Sequence, residues 1–374
     1  MRRPLSPIRL SRRNLLRAAA LGALAGRGRA WAAGEPTPLH QLAAERGIAY
    51  GTYIYDEMLK REDEYTHLAE REAAFVTSSS FHWFKVEPNQ GSTDFAGPDA
   101  VEAWARAHEL GLRGHALVWG EAAPRWFGDI ADRAAAARAL ERHVAAMCRH
   151  FAGRLQSWDV VNEALKVNEG HADGLRRTVF YEKIGPAYLD IAFRAAREAD
   201  RKTRLVYNEF DLELDLPEHR DKRRFLLAMI DGFRQRGTPI DAVGLQSHLS
   251  TDGMAHFDEK IFAGFLKDLA DRGLEIMLTE LDVIDRLAPA DITRRDEAVA
   301  ETYRRYLDVA LANRAVKTVV SWGLTDRNSW IDWDNPRTKR ADGLHPRPLP
   351  FDEAFRPKPA YFAIADAFRR APPR

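Results

Sequence analysis

Near the middle of the chain lies Leu155-Gln156-Ser157-Trp158-Asp159-Val160-Val161, an apolar run of strand length that ends directly on Asn162-Glu163. A second such run, Leu274 to Leu278, ends on Thr279-Glu280-Leu281-Asp282. A single glutamate at a strand end is usually just a solvated residue, but two of them at equivalent places suggest a shared task. The hydrolysis of a glycosidic bond requires two carboxyl groups, one as proton donor and one as nucleophile or base.

Both runs belong to a longer series in which short apolar segments alternate with segments of helical spacing. Eight segments are predicted as strands: Ile48–Tyr55, Phe75–Ser79, Gly114–Trp119, Leu155–Val161, Arg204–Asn208, Ala242–Ser247, Glu275–Leu281 and Val316–Trp322. Gly111, Gly153 and Gly273 follow helical segments where a glycine is expected to end a helix. Eight strand–helix units in about 340 residues predict an α/β fold, a single-domain (β/α)8 TIM barrel over residues 33–374.

In such a barrel the active site lies at the carboxyl ends of the strands. The residues predicted to lie there are polar or aromatic: His115, Trp119, Asn162, Glu163, Asn208, Gln246, His248, Glu280, Asp282 and Trp322. The other common α/β arrangement, a doubly wound sheet, typically carries a glycine-rich phosphate loop. Neither GxGxxG nor GxxxxGK[ST] occurs in the sequence, so nucleotide chemistry is not expected.

The first 32 residues are predicted to be an export signal rather than part of the barrel, with a disordered basic arm as the alternative. They contain eight arginines and no acidic residue, and Ser11-Arg12-Arg13-Asn14-Leu15-Leu16 resembles the twin-arginine pattern. An apolar stretch, Ala18 to Ala25, and a small-x-small site at Ala30-Trp31-Ala32 follow. The stretch is too short to cross a bilayer. We therefore expect twin-arginine export, cleavage near Ala32, and a periplasmic or secreted mature protein without a membrane anchor.

The composition of the remaining chain excludes several classes of partner. It has 48 basic and 55 acidic side chains, a net charge of −7, whereas a nucleic-acid partner would require a basic face. The single cysteine, Cys148, excludes an internal disulfide and is predicted to be a small buried side chain. The histidines are scattered rather than clustered, so neither a metal centre nor another cofactor is expected.

Six segments of the chain resemble glycoside hydrolase family 10, the retaining endo-β-1,4-xylanases. They occur in the order of that family and span almost the whole chain after the signal. The segments are Arg113-Gly114-His115-Ala116-Leu117-Val118-Trp119, Trp158-Asp159-Val160-Val161-Asn162-Glu163, Gly244-Leu245-Gln246-Ser247-His248, Thr279-Glu280-Leu281-Asp282, Trp322-Gly323-Leu324-Thr325-Asp326 with Ser329-Trp330, and Pro357-Lys358-Pro359-Ala360-Tyr361.

The resemblance implies a role for each of these residues. Glu163 would be the acid/base, Glu280 the nucleophile, and His248 and Asp282 would support the nucleophile. A neighbouring carboxylate is expected to raise the pKa of Glu163. The implied substrate-binding side chains are His115, Trp119, Asn162, Asn208, Gln246, Trp322, Trp330 and Trp83. From the residues alone, His248 could instead be a core histidine, and Trp322 and Trp330 could be core aromatics.

The implied protein is a monomeric endo-glycanase of xylanase type, which hydrolyses internal β-1,4 bonds of xylan or a related polysaccharide by double displacement. Two alternatives remain open. One keeps this chemistry but acts on a branched or hexose-containing bacterial exopolysaccharide, and the other is a polysaccharide-binding barrel whose catalytic site has decayed. A metal-dependent barrel hydrolase is a weaker alternative, because it would require clustered His and Asp ligands.

The sequence departs from the family pattern at the distal glycone subsite, which holds sugars on the non-reducing side of the cleaved bond. Where the family usually has Glu-Asn-Glu-Met-Lys-Trp, this chain has Ser78-Ser79-Ser80-Phe81-His82-Trp83. Gly120-Glu121-Ala122 replaces His-Ser-Gln, and Asn208-Glu209-Phe210-Asp211 replaces Asn-Asp-Tyr-Asn. The smaller residues predict a roomier pocket with fewer hydrogen bonds to a xylose unit. Plain xylan is therefore expected to be a poor substrate.

Overall fold

The apolar segments of the sequence form ten strands in the part of the chain that the structure describes. This structure is a computed structural model that describes residues 36–60, 64–332, 335 and 337–374, so the predicted export signal lies outside the described residues. The strands are β1 (Ala49–Tyr53), β2 (Phe75–Ser78), β3 (Gly111–Gly114), β4 (Val118–Trp119), β5 (Ser157–Asn162), β6 (Arg204–Glu209), β7 (Ala242–Leu245), β8 (His248–Ser250), β9 (Glu275–Ile284) and β10 (Val316–Ser321).

Eight of these strands close into a ring. Their order is β1-β2-β3-β5-β6-β7-β9-β10, and β10 pairs with both β9 and β1. Every pairing in the ring is parallel. The two short strands extend the ring at its carboxyl end, where β4 pairs with β5 and β8 pairs with β9. The predicted single-domain (β/α)8 barrel is confirmed.

Helices cover the outside of the ring because the strands are apolar on both faces. The described residues form α1 (Leu39–Ala44), α2 (Glu64–Glu72), α3 (Trp83–Val86), α4 (Ala96–Ala107), α5 (Arg125–Gly128), α6 (Arg133–His150), α7 (Val179–Ile184), α8 (Tyr188–Ala199), α9 (Pro217–Arg236), α10 (Glu259–Asp271), α11 (Ile292–Ala312) and α12 (Pro359–Arg370). Several begin at a side-chain cap. Asp258, for example, accepts hydrogen bonds from the first-turn amides of α10.

The third barrel strand begins three residues earlier than predicted, at Gly111 instead of Gly114. Residues Gly111–Gly114 pair along their whole length with Phe75–Ser78 of β2. Gly111 is therefore a strand residue and not a helix cap, and the prediction for it is wrong. A Cβ atom there would lie 2.6 Å from Gln156 Nε2 and 3.1 Å from Phe75 Cβ, so the neighbouring strands pack closely against this glycine. Gly273, by contrast, follows α10 with φ +72°, as predicted for a helix end.

Trp83 lies in the core between the barrel and its helices and not at the mouth. Its side chain is 1% exposed. The indole stacks on the ring of His143 with a centroid separation of 3.9 Å, and its Nε1 donates to Glu87 Oε2 at 2.9 Å. The predicted substrate contact of Trp83 is therefore wrong, because this large ring is already fully engaged in packing. Cys148 is buried and free, as predicted.

No helix in the described ranges combines the length and the apolar character that a membrane span requires.

Candidate active site

The structure brings Glu163 and Glu280 to the same rim of the barrel, at the carboxyl ends of the strands. Glu163 directly follows β5 and has a left-handed backbone with φ +56°, while Glu280 lies within β9. The Glu163 amide donates to the carbonyl of Asn208 at 2.9 Å, and the Glu280 amide donates to the carbonyl of Gln246 at 3.0 Å. Each glutamate backbone is thus bonded to a neighbouring strand end. This bonding fixes where the carboxylates can point.

Glu280 is surrounded by hydrogen-bond donors. Asn208 Nδ2 donates to its Oε1 at 2.7 Å, and His248 Nε2 lies 3.3 Å from its Oε2. His248 Nδ1 in turn lies 2.9 Å from Asp282 Oδ1, and Trp330 Nε1 donates to the other oxygen of Asp282 at 2.6 Å. The predicted His248–Asp282 support of Glu280 is therefore present as a continuous chain of contacts.

This environment favours the ionised form of Glu280. Burial acts to raise its pKa, but the hydrogen bond from His248, the charges of His115 and His248, and the hydrogen bond from Asn208 together lower it. For His248, burial acts to lower the pKa, and the negative charges of Asp282 and Glu280 raise it well above the ordinary value. The charged imidazole and the charged carboxylate therefore stabilise each other.

Glu163 has the opposite electrostatic environment. Burial raises its pKa most, and the hydrogen bond from Gln246 acts against this; the negative charges of Glu209 and Glu280 raise the pKa further, and the charge of Arg176 lowers it. We predicted only the contribution of a neighbouring carboxylate, whereas burial is the larger cause. Gln246 Nε2 donates to Glu163 Oε1 at 3.0 Å, and Trp119 Nε1 donates to Oε2 at 3.0 Å. Both predicted neighbours are thus in contact with the carboxyl group.

Asn208 connects the two glutamates but is not available to a substrate. Its side chain has no exposed surface, and its amide nitrogen donates to both Glu280 and Asn162 Oδ1, the latter at 2.9 Å. Thr279 Oγ1 donates to its oxygen at 2.5 Å. This burial contradicts the predicted sugar contact of Asn208. Gly244 makes the position possible, because a Cβ atom there would lie 2.3 Å from Asn208 Oδ1.

A second charged group lies beneath the mouth on β3 and β5. His115 Nδ1 lies 2.8 Å from Asp159 Oδ2, and Arg113 pairs with the other oxygen of Asp159. All three side chains are buried. Of these three residues, only His115 was predicted from the sequence as a site residue. The signal was present, because two charged residues interrupt apolar strands where packing alone would not place them.

Aromatic rings line the mouth and remain partly exposed. Trp119, Trp322 and Trp330 are all half-buried, in contrast to Trp83. Trp322 packs against Tyr53 with a centroid separation of 4.3 Å, and the ring of Trp330 lies 5.0 Å from that of His248. Tyr53 was not identified from the sequence. Trp119 contacts Glu163, and Trp322 and Trp330 both lie against His248, which contacts Glu280.

The roomier pocket expected from the small residues is not present at Gly120 and Ala122. A Cβ atom on Gly120 would lie 2.5 Å from Thr178 Cγ2, so the methyl group of Thr178 fills that space. Ala122 is 2% exposed and therefore does not line an open cavity. Ser78 is fully buried, and its hydroxyl donates to Asp56 at 2.5 Å. Neighbouring side chains therefore occupy the space that the sequence predicted to be open at Gly120, Ala122 and Ser78.

In the described part of the chain, no group of three or more His, Cys, Asp or Glu side chains is arranged to hold a metal ion.

Comparisons with known proteins agree with this geometry. The family model for glycosyl hydrolase family 10 matches residues 38–367. Endo-1,4-beta-xylanase B of Thermotoga neapolitana is 32% identical over 336 residues, which cover 89% of this chain and 92% of the relative. The crystal structure of xylanase 10B from Thermotoga maritima superposes with a TM-score of 0.79 at 30% identity, covering 89% of this chain and 98% of that chain.

A second solved structure, xylanase 10B from Thermotoga petrophila RKU-1 in complex with xylobiose, has a TM-score of 0.80 at 29% identity. It covers 90% of this chain and 98% of the other. Sequence and structure thus match over nearly the full length of these relatives. The chain therefore belongs to glycosyl hydrolase family 10 and is a xylanase-like glycoside hydrolase.

Proposed function

We propose that this protein is a retaining endo-β-1,4-glycanase that cleaves internal bonds of xylan or a closely related polysaccharide. The observation that carries the proposal is the opposite electrostatic state of the two glutamates within one hydrogen-bond network. Glu280 is held ionised by His248 and Asn208, while burial and two other carboxylates favour the protonated form of Glu163. A retaining glycosidase requires one carboxyl group in each of these states.

The proposed reaction has two steps. In the first, the Glu280 carboxylate attacks the anomeric carbon, the glycosidic C–O bond breaks, and Glu163 gives its proton to the departing oxygen. In the second, Glu163, now ionised, takes a proton from water, and that water displaces Glu280 from the anomeric carbon. Two inversions at one carbon leave the β configuration unchanged. His248 and Asp282 support Glu280 through the contacts described above.

The remaining site residues are proposed to bind the sugars. Asn162 and Gln246 lie beside Glu163. The Asn162 amide, which donates one N–H group to Glu163, has a second for a sugar hydroxyl, whereas the Gln246 amide donates to both Glu163 and Asn162. Trp119, Trp322 and Trp330 supply apolar ring faces for stacking. His115 contacts the edge of Trp322 with a centroid separation of 5.4 Å.

The filled mouth changes the substrate expectation. The alternative of a hexose-containing polysaccharide requires space for a hydroxymethyl group, and Thr178 takes up the space at Gly120. The matched relatives are xylanases, and one solved structure holds xylobiose. Together these observations support a xylose-based β-1,4 polysaccharide as the substrate. The intact network around both glutamates also argues against a decayed site.

The cellular form of the enzyme is proposed from the sequence alone. We propose that residues 1–32 are a twin-arginine signal and that residues 33–374 act as a monomeric domain in the periplasm or outside the cell. The basic, acid-free character of the first segment supports this proposal.

The catalytic assignment is tested with Glu163→Ala and Glu280→Ala. Each variant is expected to lower kcat on xylotetraose by about 10²–10⁴-fold or more, since a positioned acid or base usually contributes that much. The melting temperature of each variant should stay close to that of the wild type. Azide should partly restore Glu163→Ala on an aryl xylobioside with a good leaving group, since the anion needs no general base. Glu198→Ala, on the exposed face of α8, is the control. Near-wild-type turnover by a well-folded variant would overturn the assignment.

Proton NMR of the first product distinguishes the mechanism. We expect a β-anomer at first, which then mutarotates. An initial α-anomer from a β-linked substrate would rule out double displacement.

A further inference from the structure

The carboxyl group of Glu163 faces an arginine that the two catalytic steps do not use. Arg176 Nη1 lies 3.6 Å from Glu163 Oε2 and 3.2 Å from Glu121 Oε1, so one guanidinium nitrogen lies between two carboxyl groups. The shorter distance is that of a hydrogen bond, whereas the longer one is not. Arg176 is therefore bonded to Glu121 and lies next to the proposed acid/base without being bonded to it.

The main chain of Arg176 is fixed beside the acid/base. Its amide donates to the carbonyl of Ala164 at 2.8 Å, and Ala164 directly follows Glu163 in the chain. Leu175, the residue before Arg176, pairs with Leu165 in an isolated antiparallel bridge. The chain that leaves β5 thus returns to place the arginine against the segment that carries Glu163.

The side chain of Arg176 is mostly buried but is only loosely bonded. It is 16% exposed, and its Cζ lies 5.7 Å from the centre of the Phe210 ring. Its Nε is buried and has no hydrogen-bond partner among the residues that the structure describes. A movement of Nη1 by about 0.7 Å would bring it to the usual hydrogen-bonding distance from Glu163. The guanidinium can therefore exchange one carboxylate for the other with little rearrangement.

Glu121 is a partner that the family pattern does not supply. It stands where that pattern has a serine, in the single 3-10 turn Gly120–Ala122 that follows β4. Its side chain is 64% exposed, so its ion pair with Arg176 contributes little to stability. Water can solvate the Glu121 carboxylate when the arginine leaves it. The exchange therefore leaves no buried charge without a partner.

Charged or titratable side chains face this pair from several elements of the barrel. They are Glu121, Glu163 and Asp173 in the segments after β4 and β5, Tyr188 of α8, Glu209 of β6 with its partner Lys222, and Glu280 of β9 with its partner His248. Glu209 and Glu280 raise the pKa of Glu163, and the charge of Arg176 lowers it. Burial and the charge of Glu209 raise the pKa of Tyr188, so its hydroxyl is neutral.

The two steps of the proposed reaction place opposite demands on Glu163. In the first step it gives its proton to the departing oxygen, and in the second it must be ionised to take a proton from water. The negative charge of Glu280 is lost while that residue is bonded to the sugar, but Glu209 still opposes the ionised form of Glu163. A cation that moves onto Glu163 at this stage stabilises that form.

We propose that Arg176 is a positioning residue that turns from Glu121 to Glu163 when Glu163 becomes ionised, and that Glu121 holds the arginine away while Glu163 carries its proton. The proposal rests on the glycanase function proposed above. Neither residue gives or takes a proton. Glu121 and Arg176 act only through Glu163, which passes one proton to the departing oxygen and regains one from water.

The pH dependence of kcat/KM on xylotetraose tests both residues, because its departing sugar requires a proton from Glu163. Arg176→Met keeps the apolar stem and removes the charge, so the high-pH limb should move to higher pH by about one unit. Glu121→Gln leaves the arginine to Glu163 alone, so the same limb should move to lower pH. Its shift should be smaller because Glu121 is exposed. Arg176→Lys keeps the charge and should stay closer to wild type than Arg176→Met.

A dinitrophenyl β-xylobioside isolates the second step. Its leaving group departs without a proton, so hydrolysis of the glycosyl-enzyme limits kcat. Arg176→Met should move the low-pH limb of kcat to higher pH, because Glu163 without the cation ionises only at higher pH. Arg224→Met is the matched control, since Arg224 pairs with Asp221 and lies 4.2 Å from the ring of Phe225 on the exposed side of α9. Its pH profiles should equal those of the wild type.

Shifts of opposite sign in Arg176→Met and Glu121→Gln support the proposal. Limbs at the wild-type pH would overturn it, and so would shifts in the same direction, because a loosened site does not respond to the sign of the charge removed. Glu121→Gln alters an exposed side chain and should fold normally, so its limb decides the outcome if Arg176→Met does not fold. If the wild type cleaves neither substrate, the glycanase function fails. Carbon-13 NMR titration of the Glu163 carboxyl, identified by its loss in Glu163→Gln, then still measures both shifts.

Discussion

Replacement of Glu209 by glutamine is expected to lower stability and to shift the pH dependence of catalysis. This carboxylate is fully buried and accepts hydrogen bonds from Tyr207 Oη at 2.6 Å, Leu165 N at 3.0 Å and Lys222 Nζ at 3.0 Å. Tyr207 Oη in turn accepts from Ala164 N at 3.2 Å. The two amides that immediately follow the proposed acid/base are therefore both anchored on β6.

The magnitude follows from the burial of the ion pair. Glutamine keeps the shape of Glu209 but leaves the ammonium group of Lys222, which is 1% exposed, without its counter-charge. Breaking a buried ion pair in this way typically costs about 3–5 kcal/mol. A domain has about 5–15 kcal/mol of total stability, so the variant should fold but unfold at much lower denaturant concentration. The double variant Glu209→Gln/Lys222→Met should recover part of the loss, because neither charge is then left alone.

The same substitution should lower the pKa of Glu163, the proposed acid/base residue. The negative charge of Glu209 contributes, after burial, to the raised pKa of Glu163. Without that charge the pKa of Glu163 should fall, so Glu163 loses its proton at lower pH. Because the first step requires a protonated Glu163, the high-pH limb of kcat/KM should move to lower pH.

The assay combines urea unfolding of wild type, both single variants and the double variant with pH profiles on an aryl xylobioside. Asp271→Asn, in an exposed ion pair on α10, should unfold at the wild-type urea midpoint. If the losses in unfolding free energy of Glu209→Gln and Lys222→Met simply add in the double variant, the charges of Glu209 and Lys222 are not coupled. A high-pH limb that stays in place would refute the electrostatic argument for Glu163.

Three further outcomes are expected. Asp282→Asn removes a negative charge that keeps His248 protonated, so the pKa of Glu280 should rise. The low-pH limb of kcat/KM should then move to higher pH, and a limb at the wild-type pH would contradict this reasoning. Gly244→Ala should push Asn208 out of position, cost about 1–3 kcal/mol of stability and reduce kcat, measured by urea unfolding and by initial rates on xylotetraose. Lysine substitution of the twin-arginine pair should retain the precursor in the cytoplasm, measured by fractionation, and normal export would favour another route.

The barrel and the positions of the two glutamates at its rim could be predicted from the sequence because both depend on local order along the chain. Strand-length apolar runs alternate with helical segments, and parallel strands so connected must bring their carboxyl ends to one rim. Glu163 and Glu280 end or interrupt such runs, so their meeting at the rim followed once the fold was known. His248 and Asp282 were found in the same way, because each lies beside a residue already placed at a strand end.

The sequence could not show which way side chains turn after a strand has ended. Trp83 and Asn208 were both predicted to contact sugar, but Trp83 packs on His143 and Asn208 is enclosed by its own hydrogen bonds. These outcomes depend on what neighbouring elements leave open. No local pattern records this, since burial is decided by residues distant in the chain.

The side chains at the mouth of the barrel show even more clearly that the sequence could not predict which positions would be filled. Gly120 and the serines looked like vacant positions, yet Thr178, 58 residues further along the chain from Gly120, fills one of them, and Asp56 and Lys85 occupy another. A sequence motif shows only which residues are replaced at its own positions. Because protein interiors are closely packed, the volume that smaller residues leave is occupied by side chains from elsewhere in the chain. The placement of Glu163 and Glu280 at strand ends was thus determined by the local sequence. The placement of Asp56 and Lys85 against the serines at the end of β2 was decided only by the tertiary structure, because both side chains come from outside that motif.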